Sequence, residues 1–286
     1  MPRPAPRGRP RPLRAPLQFQ VLRVSFQIFA EDPAVERDLH FLAQSASQPE
    51  PAESSLSYEV RRSGDGYEIL REGVVEDVQF DPKCVLGALY QRLQRDALAA
   101  WPGAAVLQAV TGRRHGNRFV VVGETLSDRS RLALELIRLG VDVEGDDLAI
   151  LHDGVITPYP RPMRVCGADA PLPSLAPAVS DLPCAGTDLS LGPWALDLAL
   201  AGIDWRITSG PLDVAIALET NYGGQSRSSE MPPVEMARIL MSGCDPLMGA
   251  SHAVGAVARL AGGARCHRLR LGSLGDVDAF CLPLLL

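Results

Sequence analysis

Apolar and polar residues alternate along the first third of the chain. The stretch "FQVLRVSFQIFA" has this period of two, which predicts one half-buried strand. Glycine-containing turn signals at residues 64–66 and 72–73 predict further hairpin connections. Apolar residues recur at helical spacing within residues 31–46 and 82–101. The pattern therefore predicts a small α+β unit over residues 17–102.

Longer apolar runs replace this alternation beyond residue 102. The runs "AAVLQAV" and "RFVVVG" flank the predicted turn "TGRRHGN", and "FVVV" predicts a fully buried central strand. Apolar residues from Leu132 to Ile137 then follow helical spacing, and Gly140 is a typical helix end. "DLAILHDGVITPYP" predicts a strand, an Asp-Gly turn and an edge strand stopped by proline. This order predicts an α/β domain over residues 103–286.

The rest of that domain begins with a segment that lacks a regular pattern and continues with strand and helix patterns. Residues 166–193 are rich in Pro, Ser, Ala and Asp, and we predict a long surface excursion there. "LDVAIALET" predicts a strand, and "PPVEMARILMSG" predicts a helix with proline at its start and glycine at its end. A further helix and strand are predicted within residues 250–274.

Composition and charge narrow the classes of function that the sequence supports. The chain has 286 residues, 46% of them apolar and 22% charged, which is typical of a packed soluble protein. Five arginines lie in the first sixteen residues, so removing their charges from the net −6 leaves about −11 for the rest. An acidic body does not favour nucleic-acid binding. We predict that residues 1–16 form a disordered Pro/Arg arm; a misassigned start or a basic tether for an acidic partner gives the same pattern.

Cysteine spacing and hydropathy indicate the cellular compartment and whether the chain contains a membrane span. Six cysteines are scattered without a C-x-x-C pair, which is neither zinc-ligand spacing nor a dense disulfide framework. They are typical of reduced thiols in a cytoplasmic protein. No apolar stretch approaches the roughly 18 residues of a membrane span, so the sequence predicts no such span.

The segment "GETLSDRS" at residues 123–130 is the main candidate for chemistry. A phosphate-binding P-loop has the pattern G-x-x-x-x-G-K-[ST], in which backbone amides and the lysine hold phosphates and the hydroxyl binds Mg²⁺. Gly123 and Ser130 match its first and last positions, and Arg129 stands in place of the lysine. The resulting prediction is that Gly123, Ser127, Arg129 and Ser130 bind ATP.

Asp128 occupies the position of the second P-loop glycine, and two interpretations of it are open. Pointed inward, its carboxylate would repel a phosphate about 4 Å away by roughly 4 kcal/mol at an effective dielectric of 20. That repulsion could outweigh the attraction of Arg129. Pointed outward, Asp128 or Ser127 would simply cap the helix, which stabilises the fold by about 1 kcal/mol and implies no ligand.

An aspartate pair follows at the entry of the next apolar strand. Asp146 and Asp147 come sixteen residues after Ser130 in "EGDDLAIL". Adjacent carboxylates can hold Mg²⁺ and accept the proton of a substrate hydroxyl, which are the two roles that phosphoryl transfer needs. A solvated acidic turn is the alternative interpretation.

Together these motifs resemble the HPr serine kinase-related family, most strongly over residues 104–165. Gly123 and Ser130 match the family's P-loop, Asp146 and Asp147 its aspartate pair, and residues 158–160 its Pro-Tyr-Pro stretch. The resemblance implies a phosphoenolpyruvate-carboxykinase-like P-loop fold preceded by a small α+β domain.

The resemblance implies an ATP-dependent kinase that phosphorylates a hydroxyl on a peptide or small protein. Arg129 and the loop amides would hold phosphates, Ser130 and Asp146 would hold Mg²⁺, and Asp147 would act as the base. Gln108 stands where family members have histidine, and Asp128 and Arg129 also depart from the family's pattern. These departures imply the alternative, a catalytically inactive pseudokinase that serves as an interaction or scaffold protein in a peptide-modification pathway. A homo-oligomer is compatible with both.

Overall fold

The computed structural model describes most of the chain between residues 15 and 286. The described residues are 15–39, 51–123, 126–160, 163–165, 179–181, 194–196, 205–244 and 250–286. Within them the protein is mixed α/β, as the sequence predicts, and its strands form four sheets. The predicted disordered arm and most of the predicted excursion at residues 166–193 lie outside the described residues, so both stay predictions.

The first sheet contains five strands in sequence order. They are β1 (Leu17–Val21), β2 (Val24–Ala30), β3 (Ser54–Ser63), β4 (Gly66–Arg71) and β5 (Val74–Gln79). The prediction of one strand over "FQVLRVSFQIFA" is wrong, because β1 and β2 form an antiparallel hairpin. Leu22 makes the turn with a left-handed φ of 54°. Leucine carries no turn signal, so the break is invisible in the sequence.

Two helices complete this N-terminal unit. They are α1 (Pro33–Leu39) and α2 (Pro82–Ala99). Their apolar side chains pack with alternate residues of the sheet, including Phe26, Tyr58 and Ile69, in one hydrophobic cluster. The two predicted turns lie between β3, β4 and β5, and the 17–102 domain as a whole stays a prediction.

The remaining elements run from residue 105 to the end of the chain. In chain order they are β6 (Ala105–Gln108), β7 (Val110–Arg114), β8 (Asn117–Gly123), α3 (Leu126–Arg138), β9 (Asp142–Gly145), β10 (Leu148–His152), β11 (Val155–Pro158), β12 (Met163–Val165), β13 (Val179–Asp181), β14 (Trp194–Leu196), β15 (Val214–Thr220), β16 (Arg227–Glu230), α4 (Pro233–Ser242), α5 (Ala250–Gly263), β17 (Arg265–Leu271) and α6 (Val277–Phe280). Short 3₁₀ turns at Leu274–Asp276 and Leu282–Leu285 flank α6.

Strand β8 lies inside a six-stranded sheet of order β16-β17-β15-β8-β7-β9. It runs parallel to β15 and antiparallel to β7. Phe119 and Val121 pack with α3 and the C-terminal segment, whereas Val120 and Val122 pack with α4 and α5. Because both faces are covered, every residue of "FVVV" is buried, and the predicted central strand is confirmed.

The turn before β8 is shorter than the sequence predicts. Strand β7 extends to Arg114, and only His115 and Gly116 connect it to β8, with φ values of 50° and 89°. The prediction that all of "TGRRHGN" forms the turn is therefore wrong. Gly140 has a φ of 77° after α3, as expected for a helix-ending glycine.

A three-stranded sheet of order β11-β10-β6 lies between two apolar cores. Val106, Leu148 and Ile150 belong to the cluster of the N-terminal unit. Leu107 and Leu151 belong to the cluster that includes α4 and α5. The apolar packing thus continues across the predicted domain boundary near residue 102.

Candidate functional site

The carboxyl end of β8 leads through a short loop into α3. Strand β8 ends at Gly123 and α3 begins at Leu126. Residues 124 and 125 and the side chain of Ser127 lie outside the described part of the chain. The carboxyl ends of parallel strands, together with a helix N-terminus, form the usual ligand-binding edge of an open α/β sheet. The predicted strand and helix are therefore present in the predicted order, with residues 124 and 125 between them outside the described part.

Arg129 is buried in the first turn of α3, with 3% of its surface exposed. Its Nη1 atom donates to the carbonyl oxygen of Gly123 at 2.7 Å, and its Nη2 atom donates to Oε1 of Gln108 at 3.3 Å. Nη2 also lies 3.8 Å from Oδ1 of Asp147. The guanidinium thus contacts three oxygens of the protein itself.

Ser130 and Asp146 form a buried pair beside Arg129. The Ser130 hydroxyl donates to Oδ2 of Asp146 at 3.0 Å. A hydroxyl and a carboxylate oxygen are ligands that Mg²⁺ accepts, so this pair fits the metal in chemical type. No group of three or more His, Cys, Asp or Glu residues that could hold a metal occurs among the described residues.

The Asp128 carboxylate contacts the end of the neighbouring strand β15. Thr220 donates its hydroxyl to Oδ2 at 2.8 Å, and the Tyr222 phenol donates to Oδ1 at 3.0 Å. Burial, together with the hydrogen bond to Asp128, raises the pKa of Tyr222. Neither sequence interpretation of Asp128 includes these contacts, because Thr220 lies 92 residues away in the chain.

The break between β6 and β7 brings Gln108 and the aspartate pair together. The backbone N–H of Ala109 donates to the Asp147 carbonyl at 2.7 Å. The next residue back, Gln108, has an exposed side chain that reaches Arg129. Five of the six predicted site residues thus lie in one connected cluster. They are Gly123, Arg129, Ser130, Asp146 and Asp147.

Sequence analysis missed a second buried cluster, at the opposite end of β8. Arg118 donates from Nη1 to Oε2 of Glu144 at 2.7 Å and from Nη2 to the Thr208 hydroxyl at 2.6 Å. Thr208 in turn donates to Oε1 of Glu144 at 2.6 Å. The polar residue at the start of "RFVVV" was the one available signal, and nothing in the sequence identifies its partners.

Comparison with known proteins adds little to this geometry. No protein-family model and no curated protein matches the chain. Among solved structures, the chain is similar to the HPr(Ser) kinase/phosphatase from Coxiella burnetii, with 14% identity over 59% of this chain and 85% of that one. The TM-score is 0.29, and a likeness of that size defines neither a family nor an activity.

The described residues contain no helix long and apolar enough to cross a membrane. They define a mixed α/β protein whose central strand enters a helix through a short loop. Gly123, Arg129, Ser130, Asp146 and Asp147 cluster at that junction.

Proposed function

We propose that the protein is a pseudokinase, an interaction protein built on a P-loop kinase-like frame that no longer transfers phosphate. The observation that carries this proposal is the position of Arg129. In a working loop the lysine at that position contacts the outer phosphates. Here the guanidinium is buried against Gly123, Gln108 and Asp147. A phosphate would have to displace these contacts before Arg129 could bind it.

The charge around the loop also disfavours a nucleotide. Three carboxylates belong to this region: Asp147 lies 3.8 Å from Arg129, Asp146 accepts from Ser130, and Asp128 in the first turn of α3 accepts from Thr220. Two like charges about 4 Å apart repel by roughly 4 kcal/mol at an effective dielectric of 20. A phosphate group brought close to any of these carboxylates would be repelled by it.

The proposed base of a kinase reaction is engaged as well. A general base must reach the proton that it abstracts at hydrogen-bond distance. The Asp147 carboxylate lies 3.8 Å from the Arg129 guanidinium. A substrate hydroxyl would therefore compete with an internal cation for the same carboxylate.

The second candidate is an active ATP-dependent kinase, and one observation favours it. The Ser130–Asp146 pair retains the hydroxyl and carboxylate that would hold Mg²⁺. Mg²⁺ would supply neutralisation of phosphate charge. Gly123, Ser127 and Arg129 would then bind phosphate, and Asp147 would accept the proton of a hydroxyl on a peptide or small protein.

Isothermal titration with ATP, with and without Mg²⁺, separates the two candidates. We expect no binding heat from the native protein at millimolar ATP. The double variant Asp128→Gly/Arg129→Lys, which restores the P-loop pattern, should gain Mg²⁺-dependent binding if its thermal unfolding is still cooperative. Arg259→Ala removes an exposed arginine on α5 and serves as the matched control.

Mg²⁺-dependent binding by the native protein would contradict the pseudokinase proposal. If that binding also disappears in Ser130→Ala and Arg129→Ala but persists in Arg259→Ala, the kinase candidate replaces it. Transfer of radiolabelled phosphate from ATP to a hydroxyl-containing peptide would then be the direct measurement of activity.

A further inference from the structure

Strand β5 forms one edge of the five-stranded sheet and exposes apolar side chains. Val75 and Val78 are 49% and 46% exposed, and Phe80, the residue after the strand, is 78% exposed. We call these three residues the edge strip. Large apolar side chains at this exposure, grouped on a strand edge, are unusual in a soluble protein and mark a binding surface.

All three residues of the edge strip lie on one face of the sheet. Val78 pairs with Glu68 and Val75 pairs with Leu70, and the two partners are two residues apart on β4. A side chain added at Gly66, two residues further back, would come within 3.3 Å of the Phe80 ring. The edge strip is therefore continuous along the strand.

The opposite face of β5 is already engaged. Asp77 lies 2.9 Å from Arg92, and Glu76 lies 3.1 Å from Arg95, both on α2. Charged residues on an edge strand normally deter further strand pairing. Both carboxylates are bound by the helix, and Asp77 Oδ1 also accepts the backbone N–H of Val78 at 2.8 Å, a bond that a docked strand would have to displace.

Other strand edges in the described part of the protein are protected differently. Strand β1, at the other edge of the same sheet, buries its apolar residues Phe19 and Val21. Strand β16, at the edge of the six-stranded sheet, is exposed along its length but carries only Arg, Ser and Glu. Strand β5 thus combines an edge position with outward apolar side chains.

The charges that frame the edge strip are acidic. Glu72 precedes β5 and Asp81 follows Phe80, and both are exposed. Glu68 flanks Val78 on the same face. Beyond this frame, the chain without its first sixteen residues carries about −11. A segment that lies along β5 would therefore be favoured by basic residues at its ends.

We propose that β5 docks an extended segment of a partner protein, which adds a sixth strand to the sheet. The segment would place apolar side chains at alternate positions over the edge strip and Lys or Arg near Glu72 and Asp81. Main-chain hydrogen bonds supply affinity in this recognition mode, and alternate side chains supply specificity. The proposal concerns a surface separate from the loop at Gly123, so it stands whether or not that loop binds ATP.

Selection from a random library of displayed peptides about twelve residues long tests this proposal. The native protein should enrich sequences with alternating apolar residues and basic ends. Labelled copies of the enriched peptides should then be titrated by fluorescence anisotropy. Val78→Lys places a charge in the edge strip and should weaken binding by at least about tenfold, since it removes apolar contact and buries a charge. Glu72→Lys should weaken it by about threefold or more.

Two control variants test whether peptide binding depends on the edge strip, rather than on non-specific adhesion or on the loop at Gly123. Val234→Lys changes another exposed valine, which is 73% exposed on α4, and should leave binding within about twofold of native. Arg129→Ala should also leave it unchanged. Hydrogen exchange should slow at backbone amides of Val74–Gln79 when peptide is bound.

Several results would overturn the proposal. They are enrichment of peptides without the alternating, basic-ended pattern, failure to enrich any peptide, and equal binding by native protein and Val78→Lys. Sedimentation that shows a native dimer lost in Val78→Lys would assign the edge strip to a second copy of this chain instead. Loss of peptide binding in Arg129→Ala would place the binding surface at the loop.

Discussion

The two ends of β8 each hold a buried arginine, but the two arginines have different surroundings. At the amino end Arg118, 5% exposed, makes contacts of 2.6 and 2.7 Å with Thr208 and Glu144. At the carboxyl end Arg129, 3% exposed, also has a 2.7 Å contact, with the Gly123 carbonyl, but its charged partner Asp147 lies 3.8 Å away. Burial alone therefore does not separate a structural arginine from one at a candidate site. The distance from the guanidinium to its carboxylate partner does, at 2.7 Å for Arg118 and 3.8 Å for Arg129.

The amino-end cluster offsets the repulsion between two like charges on neighbouring strands. Arg113 and Arg118 are directly opposite each other on β7 and β8, where like charges destabilise a strand pair. Glu144 lies between them, 3.1 Å from Arg113 and 2.7 Å from Arg118. Its negative charge is thus shared by two cations. At the carboxyl end the Asp147 carboxylate lies 3.8 Å from Arg129, and the Asp146 carboxylate accepts from the neutral Ser130 hydroxyl.

The largest expected effect is at the amino end. Arg118→Met leaves Glu144 buried with one partner fewer, and breaking a buried ion pair on one side typically costs about 3–5 kcal/mol. We expect the free energy of unfolding, measured by urea denaturation, to fall by about this amount. The double variant Arg118→Met/Glu144→Gln should recover part of it, because the buried charge is then removed as well.

A loss below about 1 kcal/mol for Arg118→Met would show that Arg113 alone satisfies Glu144. The amino-end cluster would then resemble the carboxyl-end cluster in strength. The distinction drawn from contact lengths would fail.

A smaller effect is expected from Asp128 at the carboxyl end. Asp128→Asn weakens the hydrogen bonds from Thr220 and Tyr222 and removes a negative charge from the first turn of α3. We expect a loss of about 1–2 kcal/mol in urea denaturation. Asp278→Asn, an exposed aspartate in the first turn of α6, is the matched control.

A second change at the same residue, Asp128→Gly, tests where the carboxylate points. Since Asp128 contacts β15, Asp128→Gly alone should lose stability without gaining affinity for ATP in calorimetry. A clear gain in ATP affinity from that single change would mean that the carboxylate faces the phosphate position instead.

The sequence predicts a feature of these two ends only where the residues that form it lie close together in the chain. The β8–α3 junction is predictable because "FVVV", the apolar stripe after it and Gly140 lie within one short stretch. The contact between Asp128 and Thr220 joins residues 92 apart, and that between Arg118 and Thr208 joins residues 90 apart. No periodicity encodes such pairs. The aspartate pair is local too, because adjacent carboxylates stand out in "EGDDLAIL", whereas the direction of the Arg129 side chain required coordinates.

The smallest expected effect is a pH dependence at His267, between the two ends of the parallel strands. His267 on β17 pairs with Ile216 on β15 and is 9% exposed. Burial lowers the pKa of His267, and the charge of Arg265 lowers it further, whereas Glu230 acts in the opposite direction. Below pH about 6.5 the unfolded chain therefore binds this proton before the folded protein does. The free energy of unfolding should fall as the pH drops from about 6.5 through the lower folded-state pKa.

Urea denaturation between pH 7.5 and about 5 measures this slope. His267→Gln should flatten it, whereas His115→Asn, a change at an exposed turn residue, should leave it unchanged. An unchanged slope in His267→Gln would assign the acid sensitivity to other groups.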